Sequence, residues 1–411
     1  MEKEEFMNTM SFSPSKYLAL LAMLVIGLLS CGKNESPVAP IRPQRGEVIS
    51  ATGLGTFAAG TIQQMLVSGN ITVPFTLAYA VEAISLEYRT VDGRGDPTVA
   101  SGALLIPQGA SNVPLASVQH GTQSKDDLVA SVSPLNSTEG IVGLIMASMG
   151  YAVVIPDYLG FGISNVLHPY LHAESLIPSV IDCMRAGRSC SSEKGVSLNG
   201  QVFLTGYSEG GYVSLAVQRT IEEECQSEFS LTAVAPLSGP YDLQGMTQAI
   251  FQTSTYSTPA YIAFFFTAYN EVYGWNRLDE IFNQPYAEMM PGLFDGSRTW
   301  GEVVGQLPST FSALVKSTFI SDYLAGNESA LQSAVRENTL LDWRPKAPIH
   351  FFHGDADDVV PIQNAHTAVS ALTSNGASNV QLTIIPGGTH ETSGPPAAVG
   401  AIQWFETTRV L

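Results

Sequence analysis

Residues 201–211 read Gln-Val-Phe-Leu-Thr-Gly-Tyr-Ser-Glu-Gly-Gly, and this stretch decides the fold. Val202 to Thr205 carry the pattern of a buried strand, and Gly210 to Glu224 that of a helix. Between them, Gly206-Tyr207-Ser208-Glu209-Gly210 matches G-x-S-x-G. A strand that turns sharply into a helix needs small residues on both sides of the turn, and the turn lifts the central hydroxyl clear of the sheet. The helix that follows offers free N–H groups and the positive end of its dipole to an oxyanion. Gly and Ser are common, so the pentapeptide alone says little. Its strand-turn-helix setting makes Ser208 the candidate nucleophile.

The same alternation extends in both directions. Strand patterns occupy Ile84–Val91, Val99–Ile106, Leu115–Gln119, Tyr151–Pro156, Thr232–Leu237, Ile349–Phe352 and Val380–Ile385. Helical patterns occupy Gly53–Ser68, Thr138–Met149, Glu174–Arg188, Ile362–Ser374 and Ala397–Thr408. This predicts an α/β protein with a mostly parallel central sheet and helices on both faces. The alternation stops between Asp242 and Pro345, where aromatics such as Tyr261, Phe264, Phe265, Phe266, Tyr269, Tyr273 and Trp275 gather without a strand series. Residues 243–345 are therefore expected to form a helical cap inserted after Thr232–Leu237, the sixth strand when Val202–Thr205 is counted, within an α/β-hydrolase-type domain of residues 49–411.

A serine hydroxyl is a weak nucleophile without a base, and the base needs an orienting acid. On a sheet of this kind the chain order is Ser, acid, His. Of the seven histidines, His120, His168 and His172 precede Ser208, His350 and His353 belong to a strand, and His366 lies within a helix. His390 follows the last strand through Pro386-Gly387-Gly388-Thr389, a loop able to swing an imidazole over the sheet. His390 is the candidate base. The acid belongs after the strand ending at His353, where Asp355, Asp357 and Asp358 compete. Asp also favours turns, so not all three need serve chemistry. The developing oxyanion needs donors: the Glu209 amide, next to the nucleophile, and an amide from the loop after Leu115–Gln119.

Four segments together resemble secreted α/β-hydrolase lipases and esterases, the bacterial and fungal secretory-lipase group in particular. They are QHGT (119–122), GYAVVIPDYLGFG (150–162) with His168-Pro169-Tyr170, GYSEGG (206–211), and HGDADDVVP (353–361) with GGTH (387–390). The resemblance spans 115–240 and 345–411. It implies carboxylic ester hydrolysis through an acyl-enzyme, with no cofactor and no metal. It puts the acid on Asp357 and the second oxyanion donor on the Thr122 amide, after an H-G pair whose Gly lets the backbone approach closely. His120 and the Asp157, Tyr158, Gly160, Gly162 loop read as structural. The alternatives are a serine peptidase of the same fold, a sugar-ester deacetylase, or a binding protein that kept the fold without the chemistry.

Composition sets the surroundings. Apolar residues make up 45% and charged residues 14%, enough for a large core, and the formal net charge is −18. Such acidity repels phosphate backbones, so a small-molecule or lipid ester is the expected partner and nucleic acid is not. Nothing suggests more than a monomer. Lys16 precedes an apolar run, Tyr17–Leu29, too short to span a bilayer permanently. Leu28-Leu29-Ser30-Cys31 resembles a bacterial lipobox, which implies lipidation of Cys31, a signal peptide over 1–31, and membrane contact only through that anchor. The expected location is the cell envelope, or the periplasm or medium if Cys31 carries no lipid. Residues 32–48, with Pro37, Pro40 and Pro43, read as a tether. Export permits a disulfide. Of the remaining cysteines, Cys190 with Cys225 is the preferred pair and Cys183 with Cys190 its rival.

Overall fold

The computed structural model describes residues 44–69 and 71–410; the signal segment, Cys31 and most of the tether lie outside the described residues. Nine strands form one sheet in the order β1-β2-β3-β5-β4-β6-β7-β8-β9. They are β1 (Val48–Phe57), β2 (Val81–Val91), β3 (Pro97–Pro107), β4 (Val113–Gln119), β5 (Ala152–Pro156), β6 (Leu198–Tyr207), β7 (Ser230–Leu237), β8 (Ile349–Gly354) and β9 (Val380–Ile385). The first three strands and the β3–β5 pair run antiparallel. Every pair from β5 to β9 is parallel. This is the mostly parallel α/β sheet expected from the alternation.

Apolar cores cover both faces. One carries α1 (Ala59–Ser68), α2 (Thr138–Ser148) and α14 (Gly394–Thr408). The other carries α3 (Ala173–Glu193), α4 (Glu209–Glu224), α13 (Gln363–Ser374) and the cap. The central strands are buried along their length, so their runs are continuously apolar rather than alternating.

The cap fills the connection between β7 and β8 with eight helices: α5 (Leu243–Thr253), α6 (Pro259–Val272), α7 (Leu278–Ile281), α8 (Tyr286–Leu293), α9 (Trp300–Val304), α10 (Phe311–Leu314), α11 (Ser317–Leu324) and α12 (Ser329–Glu337). Asp242 caps α5 by accepting the Gly245 N–H at 2.8 Å. The phenol of Tyr256 donates to the Val359 carbonyl at 2.9 Å and Ser257 Oγ to the Asp358 carbonyl at 2.6 Å, which ties the cap to the loop after β8.

Three expectations need correction. Gly53–Phe57 are strand, and only Ala59–Ser68 form the helix predicted over 53–68. β1 is an exposed edge with two register shifts, so its pattern lacks the alternation of a half-buried strand. It also makes the cap follow the seventh strand, not the sixth. Second, the tether expected over 32–48 gives way to the folded domain earlier, for Arg45 already pairs with Asp182 at 3.0 Å and β1 starts at Val48. Third, Cys183, Cys190 and Cys225 are all free thiols, so neither the Cys190–Cys225 bridge nor the Cys183–Cys190 one forms. Cys183 and Cys190 sit on the same helix about two turns apart, roughly 10 Å along its axis, too far to bridge. Cys225 lies beside Arg185, with its sulfur 4.0 Å from that guanidinium.

Candidate active site

β6 delivers Ser208 at the carboxyl edge of the sheet, and α4 starts at the next residue. Ser208 has φ 57° and ψ −117°, a conformation costing about 1–3 kcal/mol that the surroundings must hold. Its N–H donates to the Leu237 carbonyl at 2.8 Å. The flanking glycines follow from space alone: a Cβ on Gly206 would meet the Gln119 carbonyl oxygen at 2.5 Å, and one on Gly210 would meet it at 2.1 Å.

Ser208 Oγ lies 2.9 Å from His390 Nε2, and His390 Nδ1 lies 2.8 Å from Asp357 Oδ2. A carboxylate only accepts, so Nδ1 carries the proton and Nε2 is left to accept from the serine. The second carboxylate oxygen takes the N–H groups of Val359 at 3.0 Å and Val360 at 2.8 Å. Burial pushes the Asp357 pKa up, but His353, His390 and the Val360 amide outweigh it and bring it down to about 2. Asp357 is therefore ionised at any pH where the enzyme would work. The rival aspartates stand apart. Asp355 accepts the Gly387 N–H at 2.6 Å, a turn contact, and Asp358 offers its carbonyl to the cap. His366 is exposed on α13.

On the opposite side, the β4–α2 loop brings Gly121 and Thr122 to the serine. A Cβ on Gly121 would lie 3.2 Å from the Tyr207 carbonyl oxygen and 3.9 Å from Ser208 Cβ, which explains the bare backbone there. The Gly121 N–H is occupied by Glu139 Oε1 at 3.1 Å. Thr122 uses its hydroxyl on Tyr170 at 2.9 Å, and its residue lines the cavity beside Ser208. Glu209 opens α4, with its N–H in the first turn.

Two cavities meet at Ser208. The larger, about 600 Å³, is bounded by Thr122, Glu139, Tyr207, Trp300, His390 and Glu391 among others. The smaller, about 40 Å³, is an apolar slot under the cap between Met246, Ile250, Phe265 and Val359. Tyr261 borders both. Asp157, Tyr158, Gly160 and Gly162 line neither. Asp157 is fully buried and accepts from Ser101 Oγ at 2.6 Å, and His120 sits with its ring nitrogens 2.7 Å from the Gly121 carbonyl oxygen and 3.0 Å from that of Asp157. Among the described residues no group of His, Cys, Asp and Glu is arranged to hold a metal, and no helix is long and apolar enough to cross a membrane.

Sequence reasoning missed three contributors. In the sequence His353 reads as a strand residue, yet its Nε2 donates to the Val360 carbonyl at 2.7 Å and lies 3.4 Å from Asp357 Oδ2. Its N–H faces Asp357 and lowers the carboxyl pKa, and its bond to Val360 pins the loop that carries the acid. The first His of the H-G-x-x-D stretch was the available signal. Tyr207 donates to the His390 carbonyl at 2.6 Å. His168 lies 2.8 Å from Glu209 Oε1.

A model of the secretory lipase family matches residues 137–409. The chain belongs to the secretory lipase family. This secretory lipase is similar to the rice cell wall degrading esterase LipA from Xanthomonas oryzae, at 28% identity and a TM-score of 0.82 over 89% of this chain and 100% of that one. A ligand-bound form of that esterase aligns at 29% identity with a TM-score of 0.81, over the same shares of both chains. Lipase A of Candida antarctica in its closed state shares the fold at 17% identity, with a TM-score of 0.68 over 89% of this chain and 82% of that one. No curated protein matches the sequence. The family and the esterase likeness make this secretory lipase a carboxylesterase or lipase, grouped with exported enzymes.

Proposed function

We propose that the chain hydrolyses carboxylic esters through an acyl-enzyme on Ser208, with a short acyl group in the slot and a larger, polar alcohol in the 600 Å³ cavity. The observation that carries this is the unbroken line of hydrogen bonds from Ser208 Oγ through the His390 ring to Asp357. His390 Nε2 takes the hydroxyl proton as Oγ attacks the ester carbonyl. The Glu209 and Thr122 amides, beside the positive end of α4, hold the charge on the carbonyl oxygen. His390 returns its proton to the departing alkoxide. Water, deprotonated in turn by His390, then releases the acid. Asp357 holds the imidazole in the required tautomer and stabilises the cation that forms.

The division of substrate rests on size and lining. A slot of about 40 Å³, far smaller than the 600 Å³ cavity on the other side of Ser208, suits a short acyl group. The larger cavity mixes Trp300 and Tyr261 with Glu139 and Glu391, which suits a bulky hydroxylated alcohol better than a second alkyl chain. The cell wall degrading activity named for the Xanthomonas oryzae esterase is in keeping with such an alcohol. We further propose that lipidated Cys31 anchors the enzyme to the cell envelope through residues 32–43, which precede the folded domain.

The test is hydrolysis of p-nitrophenyl esters from acetate to palmitate by the full-length chain beside Ser208→Ala. Preference for acetate to butyrate, with a loss of roughly 10⁴-fold or more in the variant, is the expected result. A variant that retains activity would sink the Ser208 mechanism. Labelled palmitate incorporated into wild type but not Cys31→Ala would support the anchor, and equal labelling would remove it.

A further inference from the structure

Glu209 does more than supply an amide. Its side chain turns away from the cavity into complete burial, where Oε1 lies 2.8 Å from His168 Nε2. His168 is itself only 2% exposed. Its Nδ1 lies 2.7 Å from the Leu159 carbonyl oxygen, which can only accept. Nδ1 therefore carries a proton. The Nε2–Oε1 contact needs a second proton, on the ring or on the carboxyl, and either placement leaves the pair with no net charge. Glu209 Oε2 has no hydrogen-bond partner, and His168 is its one ion-pair partner among the described residues.

Among the described residues no Lys or Arg pairs with Glu209. The His168 ring packs between Phe161 at 4.5 Å, Phe264 at 5.7 Å, Tyr158 at 5.9 Å and Tyr170 at 6.3 Å. The titratable groups around the pair are the phenols of Tyr158, Tyr170 and Tyr212, with Glu139 and His120 beyond Tyr158 and Arg219 beyond Tyr212. Burial holds those phenols protonated, with the Glu209 charge adding to the effect. A bare carboxylate on Glu209 would thus stand unscreened one residue from Ser208, on the residue whose N–H meets the developing oxyanion.

We propose that His168 is a positioning residue for ester hydrolysis: by sharing a proton with Glu209 it neutralises the buried carboxylate behind the oxyanion hole and holds the Glu209 N–H in place. This rests on the acyl-enzyme reading above. A repulsive charge at that position opposes the transition state, where negative charge develops, more than it opposes substrate binding. Its signature is therefore a fall in kcat with little change in KM.

The experiment compares full-length wild type, His168→Gln, Glu209→Gln and the double variant on p-nitrophenyl acetate, with thermal melting to check folding. His168→Gln leaves an unneutralised carboxylate, and kcat falls roughly 10- to 100-fold while KM stays within about threefold. Glu209→Gln costs roughly threefold. The double variant, which has no charge left to neutralise, recovers most of what His168→Gln lost. A double variant no better than His168→Gln, or a His168→Gln enzyme with wild-type kcat, overturns the proposal while leaving the Ser208 mechanism intact. If His168→Gln does not fold, His168→Asn is compared with His168→Asn, Glu209→Gln in its place. A double variant with no higher kcat than the single one overturns the proposal. A wild type that cleaves no ester overturns the underlying reading and this one with it.

Discussion

The phenol of Tyr207 donates to the main-chain carbonyl of His390 at 2.6 Å. The residue before Ser208 thereby holds the backbone of His390, across a ring separation of 5.3 Å. Burial raises the Tyr207 pKa, so the phenol keeps its proton throughout the working pH range. The bond sets how far the 386–390 loop can drift from Ser208. Tyr207→Phe removes one hydrogen bond worth about 1–1.5 kcal/mol. We expect kcat/KM to fall roughly 5- to 10-fold, with the ring packing and the melting temperature nearly retained. Unchanged kcat/KM would mean that the loop is held by other contacts.

Asp357 sets an acid limit on stability. Its folded pKa is about 2 against an ordinary 3.8. A lowered pKa means that the ionised form is favoured by the fold. The stabilisation is fully present above about pH 4 and is lost as pH falls through 2, an effect of about 2 kcal/mol. Urea unfolding of wild type and Asp357→Asn at pH 5 and pH 2 measures it. The stability difference between the two should shrink by about that amount at the lower pH. A difference independent of pH would show that Asp357 is not held ionised by His353 and His390.

How much of this was legible before the structure depended on whether a residue's neighbours were close in sequence. Ser208 and His390 each follow a strand end, and strand ends show in the local pattern; the same pattern confined the acid to Asp355, Asp357 and Asp358, and only the resemblance singled out Asp357. The same holds for the glycines at 206 and 210, whose reason is a steric contact with a single carbonyl. β1 was not legible, because an exposed edge strand with Gly53 and Gly55 has no alternation to read. His353 looked like one more strand residue, since its tie to Asp357 runs through a carbonyl seven residues on. The His168–Glu209 contact crosses 41 positions, and only the folded loop after β5 brings the two together. The division of the pocket into slot and cavity also escaped, because apolar residues that line a slot and those that fill a core share one pattern.

The thiols give a simple test of the fold's lower end. Cys183 and Cys190 are buried on α3 and Cys225 is partly exposed at the end of α4, all unpaired. Burial raises the thiol pKa of each, so none is primed to react. A reductant should leave the melting temperature unchanged. Alkylation of the native protein should reach Cys225 first and the other two only on unfolding. A drop of several degrees on reduction would reveal a disulfide and move the packing around Arg185.

Tyr261 is the side chain on which chain-length preference should turn. It borders both the slot and the larger cavity, and its ring lies 4.5 Å from that of Trp300. Much of the rest of the slot is closed by Met246, Ile250, Ile262 and Phe265 from the cap and by Val359 and Val360 from the loop after β8. These residues also pack the core, so the slot widens only where a wall faces empty space, and Tyr261 is that wall. Tyr261→Ala should join the slot to the cavity and let an acyl chain extend past Ser208. Each methylene then buried adds about 0.8 kcal/mol, or roughly fourfold in kcat/KM. The octanoate-to-acetate ratio should therefore rise at least tenfold, while Tyr261→Phe keeps the wild-type profile because it keeps the ring. Part of the gain will be offset by the loosened cap, which melting curves will register. If Tyr261→Ala leaves the ratio unchanged, the acyl chain does not enter the slot, and the short-acyl assignment falls while Ser208, His390 and Asp357 keep their roles.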